Sequence, residues 1–125
     1  MSSASAATLL MTIAEPTRLR IVNCLAAAPL FVSDLQAILE LPQPTVSRHL
    51  TVLRHADVVR DTPIGQFVLY RLRREGPHRR LLGAVLDGLA MDEPMQRERR
   101  LALDRSRERN SVASRESRVV RAIGD

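Results

Sequence analysis

Apolar residues recur at helical spacing in four successive runs, switch to a strand-like composition after Ala56, and then return to helical spacing. Leu9, Leu10 and Ile13 predict a short helix over residues 8 to 14. It should break at Glu15, because a residue that precedes proline resists the α conformation. Pro16 suits the first turn of a second helix, "PTRLRIVNCLAAA", with Leu19, Val22, Leu25 and Ala26 on one stripe and an end near Pro29. Val32, Leu35, Ile38 and Leu39 predict a short third helix, with Ser33 or Asp34 as its cap. Val46, Leu50 and Leu53 recur at i, i+4 and i+7 and define the buried side of a fourth.

The third and fourth helices are separated by Leu41-Pro42-Gln43-Pro44, which cannot continue a helix because Pro42 removes a backbone donor. Gln43, itself before a proline, is pushed toward the extended state of an N-cap, and Pro44 then takes the first helical position with its φ already set. A short helix, a tight turn and a second helix with one buried seam is a helix-turn-helix. At 100° per residue, Arg48, Thr51 and His55 point opposite to that seam, with Ser47 and Val52 on the flanks and His49 at the boundary.

"VVRD" and "FVLYRL" read as two strands joined by "TPIGQ", where Pro63 suits the second position of a type I turn and Gly65 a left-handed position. A two-stranded ribbon after a helix-turn-helix is a wing. "PHRRLLGAVLDGLA" predicts one more amphipathic helix from Pro77, carrying Leu81, Leu82, Val85, Leu86 and Leu89. Residues 91 to 125 are rich in Arg, Glu and Ser and are expected to form a tail that is partly helical or disordered, with Val112, Val119, Val120 and Ile123 roughly on one face. The expectation is therefore a mainly α chain with a small β-hairpin: about five helices plus a two-stranded wing in residues 1 to 90, and the tail beyond.

Charge sharpens this picture. The net charge of +5 divides into −1 for residues 1 to 42, +4 for residues 43 to 74, −2 for residues 75 to 96 and +4 for residues 97 to 125. The ribbon and fourth helix thus form one basic zone and the tail another, which points to an anionic partner. All 19 basic residues are arginine. Two readings of that usage stand open, selection for two-pronged phosphate and guanine contacts or a GC-rich genome. The absence of lysine excludes lysine-based covalent catalysis, and His49, His55 and His78 show no nucleophile or carboxylate constellation in the sequence. No enzyme activity and no cofactor are expected. A lone cysteine, Cys24, excludes an internal disulfide; Arg20, one turn earlier, is placed to lower its thiol pKa for a redox role, against the alternative of an inert, partly buried thiol. No apolar run reaches the roughly 20 residues of a membrane helix, and "MSSASAATLLMTIAEP" lacks the basic start of a signal peptide, so a cytoplasmic protein with no membrane partner is expected.

An outward polar stripe near a stiffly anchored helix start fits the major groove of B-DNA, about 12 Å wide. Arg48 can grip guanine O6 and N7 with two hydrogen bonds, Gln43 can read adenine by its amide, and Ser47 can bond a base edge or a phosphate. The first-turn amides and the Thr45 hydroxyl are placed to meet a phosphate, with Thr51 further along the stripe. Arg60, Thr62, Gln66 and Arg71 line the ribbon, within reach of an adjacent phosphate or minor groove. His49 is either a phosphate contact or a boundary histidine bonded to a neighbouring backbone. Phe67 and Tyr70 read as hairpin packing.

At "EPTRLRIVNCL", "FVSDLQAILELPQPTVSRHLTVLRHADVV" and "RDTPIGQFVLYRL" the chain resembles the ArsR/SmtB family of winged helix-turn-helix repressors, from about Leu9 to about Leu89. The resemblance implies a homodimer held by its first and last helices that binds an imperfect inverted repeat and is released by an inducer. It also implies DNA contacts from Gln43, Thr45, Ser47, Arg48, His49, Arg60 and Gln66, with half-sites roughly 34 Å apart. Arsenite-sensing members carry Cys-Val-Cys-Asp-Leu where this chain has Phe31-Val32-Ser33-Asp34-Leu35, so the thiolates a soft trivalent ion needs are missing. Zinc-type members use Asp and His pairs on the last helix; here only His78 and Asp87 are available, with Asp92 and Glu93 beyond, an incomplete set. The inducer is thus left unidentified. Two alternatives to a repressor are an architectural DNA binder using the arginine-rich tail and a winged-helix protein-interaction module.

Overall fold

A computed structural model describes residues 5 to 124, with side chains described as far as residue 116. The elements run α1 (Ala6–Ala14), α2 (Pro16–Ala27), β1 (Leu30–Phe31), α3 (Val32–Leu39), α4 (Gln43–His55), β2 (Val59–Ile64), β3 (Phe67–Leu72), α5 (Arg79–Leu89) and α6 (Glu93–Gly124). The helices α1 to α4 and the β2–β3 ribbon follow the hydrophobic pattern. Glu15 ends α1 and caps α2 at once: in extended conformation, its carboxylate accepts from the Arg18 N–H at 2.9 Å.

The sheet, the hairpin turn and the last helix depart from the sequence expectation. The sheet has three strands, ordered β1-β3-β2, because Leu30 and Phe31 pair with Tyr70 and Leu69. A strand of two residues has no periodicity to read. The hairpin turn is the two-residue Gly65-Gln66, with Gly65 at φ +63° as expected, but Pro63 sits inside β2 opposite Val68. Proline is tolerated there because β2 is an edge strand and needs no donor on its open side. The last departure is α6: residues 93 to 124 form one helix. Its proximal half is part of the body, since Ala102 is fully buried in the core and Ser106 is 8% exposed. Val112, expected on an apolar face, is exposed; the Val119, Val120 and Ile123 side chains lie outside the described residues.

The core is centred on Ile21, Val22, Leu25, Leu35, Val46, Leu50 and Leu53, closed by Leu30, Val58, Val59 and Leu72 from the sheet side and Leu82 and Leu86 from α5. Helix α2 is buried at five consecutive positions, Ile21 to Leu25, because α6 covers the side that α1, α3 and α4 leave open. A helix packed on both sides has no single apolar stripe. On its α6 side, fully buried Asn23 donates to the Met95 carbonyl at 2.8 Å and accepts from Arg99 Nε at 2.7 Å, while Arg99 Nη2 reaches the Leu86 carbonyl at 2.6 Å. Arg20 and Glu98 close the same seam at 2.6 Å. Burial holds the Arg99 pKa somewhat below the ordinary guanidinium value, and the hydrogen bond to Glu98 holds that of Arg20 above it.

Candidate nucleic-acid interface

The turn that introduces α4 is built from two successive restraints. Glu40, in the left-handed conformation at φ 57°, closes α3 by donating to the Gln36 carbonyl at 2.9 Å. Leu41 and Pro42 then carry the chain to α4. The N-cap is Pro42, not Gln43 as the sequence suggests, and Gln43 and Pro44 occupy the first two helical positions. The Pro42 carbonyl accepts from the amides of Thr45, at 3.1 Å, and Val46, at 3.2 Å. Although it precedes a proline, Gln43 is helical, and its amide Nε2 donates to Ser47 Oγ at 2.7 Å, one turn along. The expected cradle of first-turn amides is correspondingly reduced. Pro44 has no N–H and those of Thr45 and Val46 are already used, so the Thr45 hydroxyl and the Gln43 N–H remain.

Past this start, α4 presents a prearranged polar face. Gln43 and Ser47 are locked together, and the Thr51 hydroxyl donates to the Ser47 carbonyl at 3.0 Å. Arg48 is exposed and, among the described residues, has neither a hydrogen-bond partner nor an ion pair. Val46, Leu50 and Leu53 on the opposite side are fully buried, which fixes the rotation of the helix and hence the direction in which Arg48 points.

His49 does not join that face. Its side chain is 13% exposed and turned toward the α1–α2 joint, with Nδ1 3.6 Å from Glu15 Oε2 and 3.3 Å from Arg18 Nη1. At the helix boundary the imidazole thus meets a carboxylate and a guanidinium of the α1–α2 joint rather than the neighbouring backbone. Burial works to raise the Glu15 pKa, but the backbone N–H groups of Arg18 and Thr17 and the nearby charges of His49 and Arg18 outweigh it and hold the carboxyl below its ordinary value.

The wing divides its candidates between two faces. Asp61 and Tyr70 are cross-strand partners, and Asp61 meets Arg54 of α4 at 3.5 Å, so this face looks toward the helix. Burial, with Asp61 alongside, raises the Tyr70 pKa. Alternation puts Arg60, Thr62 and Arg71 on the other face, where Arg60 pairs with Glu75 at 3.0 Å and Arg71 donates to the Leu72 carbonyl. These three therefore lie on the ribbon face opposite to Asp61 and Tyr70. Gln66, at the turn, does converge: with Gln43, Ser47, Ser33, Gln36, Phe67 and Tyr70 it lines a cleft of about 370 Å³ between α3, α4 and β3. Sequence reading missed Ser33 and Gln36 as part of this surface. Their i, i+3 spacing on the polar side of α3 was the available signal.

Cys24, His78 and Asp87 lie apart from the α4 face. Cys24 is fully buried, and burial, with Glu98 nearby, pushes its thiol up to about 12. Arg20 works to lower it, as expected, but is itself paired with Glu98 and is outweighed by burial. His78 caps the N-terminus of α5 and Asp87 lies in its last turn, about 13 Å along the axis at 1.5 Å per residue. Among the described residues no three His, Cys, Asp or Glu side chains gather as a metal-sized group, and no helix is long and apolar enough to cross a membrane.

Residues 15–61 match the bacterial regulatory protein arsR family. The arsenic resistance transcriptional regulator ArsR1 of Pseudomonas putida is 41% identical over 62% of this chain and 59% of its own length. The transcriptional repressor SdpR of Bacillus subtilis is 33% identical over 48% of this chain and 67% of its own. The repressor SmtB of Mycobacterium tuberculosis is 40% identical over 69% and 61%. The chain therefore spans about three-fifths to two-thirds of the length of these curated relatives. Among solved structures, reduced HlyU from Vibrio cholerae superposes with a TM-score of 0.61 at 31% identity, covering 69% of this chain and 85% of that one. The repressor BigR from Xylella fastidiosa gives 0.60 at 29% identity, with 68% and 82% covered. The family is regulatory rather than enzymatic. Helix-turn-helix, wing and these likenesses agree, and the chain belongs to the ArsR family of winged helix-turn-helix regulators.

Proposed function

We propose that this chain is a homodimeric transcriptional repressor that lays α4 in the major groove of double-stranded DNA and is released by an inducer. The observation that carries the reading is Arg48: an exposed guanidinium, unpaired among the described residues, one turn into a helix whose start and rotation are both fixed. Its neighbours supply the rest of the reading head, with Gln43 and Ser47 pre-paired, Thr45 and Thr51 beside them, and Gln66 brought in from the wing tip. Arg60, Thr62 and Arg71, on the far face of the ribbon, are left out of the base-reading set. A dimer through α1 and α5 accounts for apolar surface that one copy leaves open, namely Leu10 at 41% and Met11 at 75% exposure, with Leu81, Val85 and Leu89 only partly covered. The inducer is not arsenite held by a cysteine pair in α3, since that stretch has no thiol.

The test is a binding assay on the DNA upstream of the chain's own gene, comparing the parent with Arg48→Ala over several salt concentrations. The parent should bind with a log-log salt slope of about −0.9 per neutralised phosphate. Arg48→Ala should lose discrimination between specific and scrambled DNA while keeping most of the salt slope. Equal discrimination by the two proteins overturns the reading. Deleting residues 97 to 125 cannot serve as the control for a tail-based mode, because it removes Ala102 and Ser106 from the interior.

A further inference from the structure

The distal half of α6 meets the rest of the molecule at Asp34. Asp34, 5% exposed, receives two guanidinium groups from α6: Arg105 Nε at 3.1 Å on Oδ1 and Arg109 Nη1 at 2.5 Å on Oδ2. The same Oδ2 accepts the Phe31 backbone N–H at 2.9 Å. Arg109 also donates to the Pro29 carbonyl at 3.3 Å, and its Cζ sits 4.9 Å from the centroid of the Phe31 ring. The Phe31 ring in turn meets Phe67 edge-on, with centroids 6.2 Å apart and planes at 70°. Phe67 opens β3, directly after the Gly65-Gln66 turn, and is 62% exposed. One arginine of α6 is therefore two ring contacts from the wing tip.

Little else holds α6 here. After Ser106 no described residue of the helix is buried. Open clefts flank the Arg109–Phe31 stack on both sides, one of about 460 Å³ toward Ser33 and Val112 and one of about 330 Å³ toward Ile64 and Leu69. A contact made at one point transmits position differently from a packed face: where Arg109 goes, the Phe31 ring must follow or lose its partner.

We infer that Arg109 is a positioning residue for the wing, and that α6 acts as a lever on the DNA-facing ribbon through Asp34, Phe31 and Phe67. The effect on DNA affinity rests on the function proposed above. The mechanical coupling does not, so it is tested on the free, full-length protein by amide hydrogen exchange.

In Arg109→Ala, peptides spanning β2 and β3 should exchange about tenfold faster, while the peptide covering Ile21 to Leu25 of α2 keeps the parent's rate; local opening of this kind is separable from global unfolding. Arg109→Lys, which keeps a cation for both Asp34 and the ring, should return the wing to within about threefold of the parent. The inference is overturned if Arg109→Ala leaves wing exchange within about twofold of the parent, or if it speeds α2 and the wing alike, which is the signature of a general loss of stability. Failure of Arg109→Lys to rescue, with the wing still loosened, overturns the assignment to the cation. DNA titrations of the same proteins read out the function separately.

Discussion

The same side chain does opposite work on α4 and on α6. On α4, Arg48 stands in solvent without a partner among the described residues, while the neighbouring polar groups bond to one another. On α6, Arg99, Arg105 and Arg109 are each committed to the interior, to Asn23, Asp34 and backbone carbonyls of α5 and the β1 approach. An arginine with satisfied donors contributes to one arrangement of helices. One held in place with donors unsatisfied is available to a ligand, and its desolvation is deferred until that ligand arrives. Local net charge is +4 for both the α4–wing region and residues 97 to 125, so charge counting alone could not tell the two apart.

The sharpest way to break the contrast is to damage the committed side. Asn23→Leu removes the acceptor from Arg99 and the donor from the Met95 carbonyl inside a fully buried seam. Loss of one partner of a buried charged hydrogen bond costs about 3 kcal/mol, and urea unfolding should show it. Arg48→Ala should do the reverse. Stability should stay within about 0.5 kcal/mol, as for an exposed site without partners. Specific DNA binding should fall by roughly 1 to 3 kcal/mol relative to scrambled DNA, the worth of one two-pronged guanine contact. If Arg48→Ala destabilises the fold as much as Asn23→Leu, the division of labour is wrong.

This division also marks how far the sequence could be read. Val46, Leu50 and Leu53 gave the rotation of α4 and so the exposure of Arg48, and the pre-proline rule placed the α1–α2 joint at Glu15. Periodicity works when one side of an element is solvated. It located α2 but missed the second buried side of that helix, where Asn23 and Cys24 are covered by a helix about 70 residues downstream, and it failed for α6, whose buried residues, among those described, are Ala102 and Ser106 rather than a leucine stripe. A helix docked by guanidinium–carboxylate pairs resembles a solvated, charge-rich tail in one dimension. His49 was undecidable for a related reason: its partner Glu15 is fixed by tertiary geometry, not by spacing along α4.

The Glu15 joint gives the next, smaller effect. Its pKa lies below the ordinary glutamate value in the folded chain, so its ionised form is favoured by folding. That contribution is present at neutral pH, above the unfolded value, and is lost as pH falls through the folded one. Glu15→Gln should cost about 1 kcal/mol at pH 7, as loss of a helix cap does. The difference between parent and variant should shrink toward zero below the folded pKa, measured as urea midpoints across an acid series. A difference that persists undiminished at the acid end would show that the cap acts without its charge.

Arg60→Ala is expected to change least, and it tests the boundary of the reading head. Arg60 is half-exposed, and its pair with Glu75, itself half-exposed, is a solvent-screened surface contact of little weight. It lies on the ribbon face turned away from Arg54 and Asp61. Unfolding should therefore be nearly unchanged, and the ratio of specific to scrambled DNA affinity should match the parent even where Arg48→Ala lowers it. Removing Arg60 also leaves Glu75 unpaired near Arg71, so any small shift should be in the salt slope rather than in discrimination. A fall in discrimination approaching that of Arg48→Ala would mean that the ribbon presents its far face to the bases, and that the Arg54–Asp61 contact does not fix its orientation on DNA.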